Sequence, residues 1–315
     1  MTTVYDRALG ALVGSFVGDA FGAQTEFKRE KDVRKDFPEG IWEMDATSRS
    51  VGSAEQITDD SEMVIMMIQS IIAEGGYSQQ AVRKSYRRWR DAGPLDIGVT
   101  IYGALEGLVS PKSQANGALM RAVPLGIMGS TLSFKRMMRL SDLDCAITHV
   151  HPVCRDCNRL FVLALSLAIG KGWDIRAVYN YLVETAPTYV TEQVVIDALL
   201  KAETELPANI DGPLKGWVLI AFQLAFHTLL HAPSFEQGMV DVVMHAGDAD
   251  TNAAIYGALA GAFATLENIP KRWYGQIKLS TCMKRLIEPG HKTLLTLSEE
   301  WIQPLLELGS MQVFS

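Results

Sequence analysis

The sequence predicts an all-α protein, a single compact orthogonal bundle of helices that forms one domain over residues 1–315. Three observations carry this expectation. Apolar residues recur at helical spacing, as in Leu9, Leu12, Val13, Phe16 and Val17, and again in Val64, Met67, Ile68, Ile71 and Ile72. Alternating apolar and polar runs rich in β-branched residues are scarce, which leaves little material for a sheet. No fixed-period repeat, low-complexity tract or long polar linker divides the chain. With 315 residues, 48% hydrophobic and 21% charged, the chain is large enough and ordinary enough to bury a sizeable core.

The elements follow in order. After the two stripes just named come helical stretches in "AVRKSYRRWR", "NRLFVLALSLAIGKG", "IRAVYNYLVETA", "VTEQVVIDALLKAETEL", "GWVLIAFQLAFHTLLH" and "SFEQGMVDVVMHAG". The segment from Lys28 to Gln56 is the least periodic. With its mixed charge, Pro38, Gly40 and Gly52 it reads as a long loop, and loops of that length are usually functional.

The composition narrows the function classes. A net charge of −7, from 29 basic and 36 acidic residues, argues against a broad nucleic-acid footprint. No apolar run is long enough for a transmembrane helix, and the first residues lack the layout of a secretory signal. Four cysteines suit a reducing compartment. A cytoplasmic monomer without a membrane partner is the expectation.

The stretch "HAGDADTNAAIYGALAGAF", from His245, is unusual. Its helix carries Ala253, Ala254, Gly257, Ala258, Gly261 and Ala262 where large apolar residues are the rule. Small residues let another backbone come close, so something is expected to approach Asp248 and Asp250. A matching acidic group stands at Thr58, Asp59 and Asp60, also directly before an apolar helix. Helix capping explains either cluster alone. A cap needs one carboxylate, however, and each cluster carries two with a threonine beside them. Were the clusters to converge, their charges would demand cations. Oxygen ligands without thiolate or imidazole favour Mg²⁺ or Mn²⁺, two ions about 3.5–4 Å apart being the familiar arrangement.

The segments "GALVGSFVGDAFGAQTEF", "TDDSEM", "GPLDIG", "NGALMRAVPLG", "THVHP" and "AGDADTNAAIYGALAGA" occur in that order over most of the chain. Together they resemble the ADP-ribosylglycohydrolase family, and within it the dinitrogenase-reductase-activating branch. The resemblance implies an all-α fold with a metal-containing cleft, two divalent cations, and cleavage of the glycosidic bond between ADP-ribose and a modified protein side chain, with ADP-ribose as product. It implies Thr58, Asp59, Asp60, Asp248, Asp250 and Thr251 as metal ligands, with Asp250 bridging both ions and Asp60 and Asp250 essential to catalysis. Glu26 matches a mobile glutamate near the metals, a general base or gate. Asp19 has a lesser expected role, satisfying backbone donors in a turn between Gly18 and Gly22.

Asp96 matches a carboxylate facing the scissile bond, which suits a guanidinium and so an arginine-linked substrate. Val99 stands nearby where the family commonly has asparagine. Ser113, Asn116 and Gly117 match a loop that cradles the diphosphate and distal ribose, with exposed N–H groups as donors. His149 matches a pocket histidine expected to donate to phosphate, and Val150 departs from the family's "HPHP". Two other groups carry less. His149, His151, Cys154 and Cys157 lack zinc-finger spacing, and His227 and His231 lack the glutamate of a metalloprotease motif. Rival functions are an ADP-ribose-binding or immunity module on the same fold, and hydrolysis of serine- or nucleic-acid-linked ADP-ribose.

Overall fold

The computed structural model describes residues 2–44 and 55–310. The described residues form α1 (Val4–Gly22), α2 (Glu30–Asp36), α3 (Asp59–Glu74), α4 (Gln79–Asp91), α5 (Val99–Leu105), α6 (Val123–Gly129), α7 (Phe134–Cys145) and α8 (Pro152–Lys171). The chain continues through α9 (Ile175–Tyr189), α10 (Gln193–Lys201), α11 (Val218–His231), α12 (Phe235–Met244), α13 (Ala249–Ala264), α14 (Lys271–Tyr274), α15 (Thr281–Ile287) and α16 (Leu294–Ser310). No strand is present among the described residues; extended pairing is limited to isolated bridges, Gln56 with Lys278 and Ala115 with Trp217. The all-α expectation holds.

The centre of the fold is an antiparallel pair, α1 against α13. Gly10, Gly14, Gly18 and Gly22 of α1 face Gly261, Gly257, Ala253 and Ala249 of α13 in reverse order. The backbones touch. A Cβ placed on Gly14 would lie 2.2 Å from the Gly257 carbonyl oxygen, one on Gly18 2.0 Å from that of Ala253, and one on Gly257 2.1 Å from that of Gly14. No side chain fits between them, so the two helices approach as closely as α-helices can. α12 and α11 pack on α13, α8 packs against both members of the pair, and α16 closes the side formed by α1, α3 and α6.

The pairing of the two acidic clusters leads to the expectation that the small α13 face packs beside the helix that follows Asp60. The main partner is instead α1, and α3 touches α13 only lightly. The purpose inferred from the sequence survives in altered form: the close approach draws the N-terminus of α13, with Asp248 and Asp250, alongside the C-terminus of α1.

The Lys28–Gln56 segment is not wholly loop. α2 lies inside it, stabilised by an Arg34–Glu30 pair at 2.7 Å, acidic residues in its first turn and basic ones in its last. Val33 is the one residue it buries, which is why apolar periodicity does not mark it. Residues 45–54 lie outside the described residues, so the rest of that expectation concerns positions not treated further. The helix expected over "VTEQVVIDALLKAETEL" is shorter than its pattern, ending at Lys201.

The α1–α13 contact has a measurable consequence. Gly14→Val should lower stability by about 3 kcal/mol, because the branched side chain must displace backbone rather than a flexible neighbour. Chemical denaturation followed by circular dichroism checks this, and an unchanged midpoint would contradict the backbone contact.

Candidate active site

The acidic residues come together at a cavity of about 280 Å³ at the end of the α1–α13 pair. Each arrives by a separate local device. At the start of α3, Thr58 is the N-cap, and its Oγ1 accepts from the Asp60 N–H at 3.4 Å. The stronger cap comes from α1. Asp19, fully buried, accepts from the Thr58 N–H at 3.0 and 3.1 Å, from the Thr58 hydroxyl at 2.8 Å and from the Ser61 N–H at 3.1 Å. Asp19 therefore satisfies backbone donors, as expected, but those of a distant helix rather than of its own turn. With Asp19 and Thr58 capping α3, the carboxylates of Asp59 and Asp60 are released from that duty.

α13 repeats the arrangement differently. Asp248 occupies the N-cap position, yet its side chain makes no capping bond. Its Oδ2 instead accepts from Asn116 Nδ2 at 2.6 Å. The Asn116 backbone N–H donates to the Gly216 carbonyl at 3.1 Å, so the backbone donor and one of the two Nδ2 hydrogens are engaged within the protein. This differs from the expectation that Asn116 presents free donors to a diphosphate.

Glu26 is carried in by the loop after α1. The Phe27 N–H donates to the Gly247 carbonyl at 2.6 Å, and the Gly247 N–H donates back to the Lys28 carbonyl at 3.3 Å. Ala246 and Gly247 both take left-handed conformations (φ 56° and 75°) to make this turn. A Cβ on Gly247 would sit 2.3 Å from the Ile210 carbonyl oxygen, so only glycine fits there. The pairing places a Glu26 oxygen and ligand oxygens of Asp248 and Asp250 all within 4.8 Å of one another. Contact between the two acidic clusters is direct, with Thr251 Oγ1 donating to Asp60 Oδ2 at 3.4 Å.

Glu26, Asp59, Asp60, Asp96, Asp248, Asp250 and Thr251 line the cavity, joined by Asn116, Gly117 and His149. Two residues in the sequence-derived set do not. Thr58 lies behind Asp60 in the capping network, and Ser113 pairs its hydroxyl with Thr100 at 2.8 Å. Gly117 lies buried against the His149 ring, rather than in an exposed turn, and a Cβ there would come within 3.3 Å of His149 Cε1. Asp96 is exposed at the rim beside Val99, which is 90% exposed.

Burial and mutual repulsion dominate the electrostatics. Burial, then Asp96 and Asp19, push Asp59 well above the usual carboxylate range; burial, then Asp59 and Asp19, do the same to Asp60. Asp250 is raised by burial, then by Glu26 and Asp60. Asp248 is raised by burial despite the opposing effects of Asn116 and Lys215. The buried Asp60 Oδ1 has no hydrogen-bond partner among the described residues. A set of charged oxygens with an orphaned buried one and no cation inside it fits a hard divalent metal.

His149, fully buried, is a different kind of group. Burial and the nearby Arg121 guanidinium push it down to about 3, so its ring is neutral. Its Nδ1 meets the Thr148 hydroxyl at 2.8 Å, and its Nε2 has no partner among the described residues. Arg121 is itself buried, paired with Asp144 at 3.0 Å, and donates to the Gly117 carbonyl at 3.1 Å. The supposed zinc set disperses. His151 caps α8, and Cys154 donates towards the Ser113 and Ala115 carbonyls. His227 and His231 stack on each other at 4.2 Å and bond to backbone carbonyls.

The model of the ADP-ribosylglycohydrolase family matches residues 1–304. The chain belongs to that family. Among its relatives, the ADP-ribosyl-[dinitrogen reductase] glycohydrolase of Rhodospirillum rubrum is 29% identical, over 94% of this chain and 98% of that protein. The ADP-ribosylarginine hydrolase Tri1 of Pseudomonas putida (strain GB-1) is 24% identical, over 90% of this chain and 77% of that protein. A solved structure of an ADP-ribosylglycohydrolase-related protein complex has the same fold, with a TM-score of 0.81, 24% identity and coverage of 99% and 100% of the two chains. This ADP-ribosylglycohydrolase is accordingly a hydrolase.

Several residues that build its site escape a reading of the sequence. Asp19 as the cap of α3, Asn116 as the partner of Asp248, and the Arg121–Asp144 pair beneath Gly117 act across 23 to 132 residues of chain. The glycine series on α1 is legible once its four-residue spacing is noticed.

The neutral His149 predicts a pH effect. Its folded value lies below the ordinary 6.5, so as pH falls below 6.5 the unfolded chain takes up a proton that the folded chain refuses. Stability from this group is therefore full above 6.5 and declines as pH falls towards 3. His149→Asn should lose less stability than the wild type between about pH 7 and pH 5 in parallel denaturation series. Equal losses would mean that the ring is charged or solvated in the folded state.

Proposed function

We propose that residues 1–315, as one domain, hydrolyse the bond joining ADP-ribose to an arginine side chain of a modified protein, releasing ADP-ribose. The observation that carries this reading is the meeting of Asp59 and Asp60 with Glu26, Asp248 and Asp250 at one cavity, with Asp96 exposed at its rim. The names of the R. rubrum and P. putida relatives, a glycohydrolase of ADP-ribosyl-[dinitrogen reductase] and an ADP-ribosylarginine hydrolase, support the substrate class. A cytoplasmic monomer is the setting proposed, and no helix among the described residues is long and apolar enough to cross a membrane.

Asp59, Asp60, Asp248, Asp250 and Thr251, with Thr58 behind them, would hold two divalent cations, Mg²⁺ or Mn²⁺. When bound, such ions neutralise the carboxylates, anchor ribose hydroxyls and acidify a nearby water. The chain's own groups do the rest. Glu26, on the loop after α1, accepts a proton from water approaching the anomeric carbon. Asp96 pairs with the guanidinium and orients it; as the C–N bond breaks, its electron pair goes to nitrogen, and the guanidine leaves neutral and takes up the proton that the attacking water gives up. His149, neutral and with an unpartnered Nε2, donates a hydrogen bond to the ligand without adding charge. Gly117 gives the ligand room, since any side chain there would strike Ile101 and His149.

Three measurements test this. Titration calorimetry with Mn²⁺ should find binding that disappears in Asp60→Asn and Asp250→Asn. The same variants should lose ADP-ribose release to background while keeping helical circular dichroism, because the core is built by α1, α8, α11 and α13. Full activity in either would remove the acidic cluster from the mechanism. Asp96→Ala should lower kcat/KM on arginine-linked substrate by more than about tenfold and spare serine-linked substrate, a desolvated charge pair being worth about 2–5 kcal/mol. Equal losses on both linkages would make Asp96 a general catalytic group.

A further inference from the structure

Beside the cavity lie an aromatic ring, in its wall, and a cation over that ring, neither used by the mechanism above. Phe27 lines the cavity, yet its side chain is 63% exposed. It holds this position in a left-handed backbone conformation, φ 59°, which is uncommon for a bulky residue and kept here by the bond from its N–H to Gly247. The ammonium of Lys215 lies over its ring, 5.3 Å from the centroid. Lys215 forms no ion pair with a carboxylate among the described residues, although its charge acts on Asp248.

The backbone explains why the amine stays beside the cavity. Residues 215–217 run beside the Ser113–Gly117 loop. Gly216 accepts from the Asn116 N–H at 3.1 Å, Trp217 Nε1 donates to Gln114 Oε1 at 2.9 Å, and the Val218 N–H donates to the Gln114 carbonyl at 2.9 Å. At Gly216 an added Cβ would lie 3.3 Å from Asp248 Oδ2. Lys215 is thus anchored next to the acidic cluster, with its ammonium over the Phe27 ring. Arg121, the other cation near the cavity, is committed to Asp144 and the Gly117 carbonyl.

We propose that Lys215, presented on Phe27, receives the diphosphate of the ADP-ribosyl ligand, so that the nucleotide leaves the cleft on the Lys215 side and the acceptor on the Asp96 side. This rests on the ADP-ribosyl reading of the cavity given above. A diphosphate approaching clustered carboxylates meets repulsion, and Lys215, over the cavity-lining Phe27 and close enough to act on Asp248, can offset it. A cation–π contact at an exposed site is weak, whereas a charge-assisted bond to a phosphate oxygen is stronger, so the amine can transfer from ring to ligand. The site then offers both a cation, Lys215, and an exposed carboxylate, Asp96, matched to a ligand with an anionic part and a cationic one.

The test compares wild type, Lys215→Met and Lys215→Arg by titration calorimetry with ADP-ribose, and separately with Mn²⁺ alone. Methionine keeps the apolar contact with Phe27 and removes the charge. The expected result is about tenfold weaker ADP-ribose binding in Lys215→Met, largely restored in Lys215→Arg, with Mn²⁺ binding no weaker than in the wild type. Unchanged ADP-ribose affinity in Lys215→Met would overturn the subsite, as would an equal loss of Mn²⁺ binding, which would place the lysine's role in the acidic cluster. Failure of the wild type to bind ADP-ribose at all would instead overturn the reading on which the subsite rests.

Discussion

Everything at the cavity depends on the direct contact of two helix backbones. α1 and α13 meet through glycine and alanine, with distances that admit no side chain between them. Because they run antiparallel, the C-terminus of α1 and the N-terminus of α13 lie at the same end, and the loop carrying Glu26 is tied there to the turn before Asp248. A looser pair, separated by leucines, would sit apart by a side chain's length and would spread these carboxylates beyond the reach of shared ligands. The glycines lower helix propensity along both elements, a cost that burial of the whole interface has to offset.

The second dependence is electrostatic. Helix N-termini attract carboxylates, and an aspartate at that position ordinarily turns inward to cap. Here the cap of α3 is delegated to Asp19 on another helix, and the N-cap residue of α13 points its carboxylate at Asn116 instead. The helix ends still favour negative charge near them, but the oxygens face the cavity. Like charges gathered in this way work against folding unless protons or cations neutralise them. The fold tolerates that strain because the surrounding helices bury a continuous apolar core from Ala8 to Leu305.

Much of this was legible in the chain, for physical reasons that differ by element. The long helices α8, α9, α11 and α12 announce themselves because each buries a wide face at regular spacing. The acidic clusters stand out because their chemistry exceeds what capping needs, and motif resemblance supplied the roles of Glu26, Asp96 and His149. Short elements were not visible: α2 buries only Val33, and α5, α6 and α15 are seven residues each, too short for a periodic stripe to emerge. α16 carries Pro304 inside it, which argues locally against a helix that tertiary packing nonetheless keeps. The partner of α13 was misplaced because its small face names a close approach without naming the element that approaches. Asn116 looked like an open turn, and its two bonds to Asp248 and Gly216 arise only when segments far apart in sequence meet.

The central helix pair also bears on how the protein is made. α1 ends at Gly22 and its partner α13 begins at Ala249, so 226 residues of chain separate them. At ~5–20 residues per second that stretch takes on the order of ten to fifty seconds to synthesise. For that interval the glycine stripe of α1 lacks the helix that covers it, although α3, α6 and α8 can already pack on its other faces. The chain is therefore committed to late closure. The central pair cannot close until the chain has passed α13, so the glycine stripe is the part of the core that is completed late rather than built up locally.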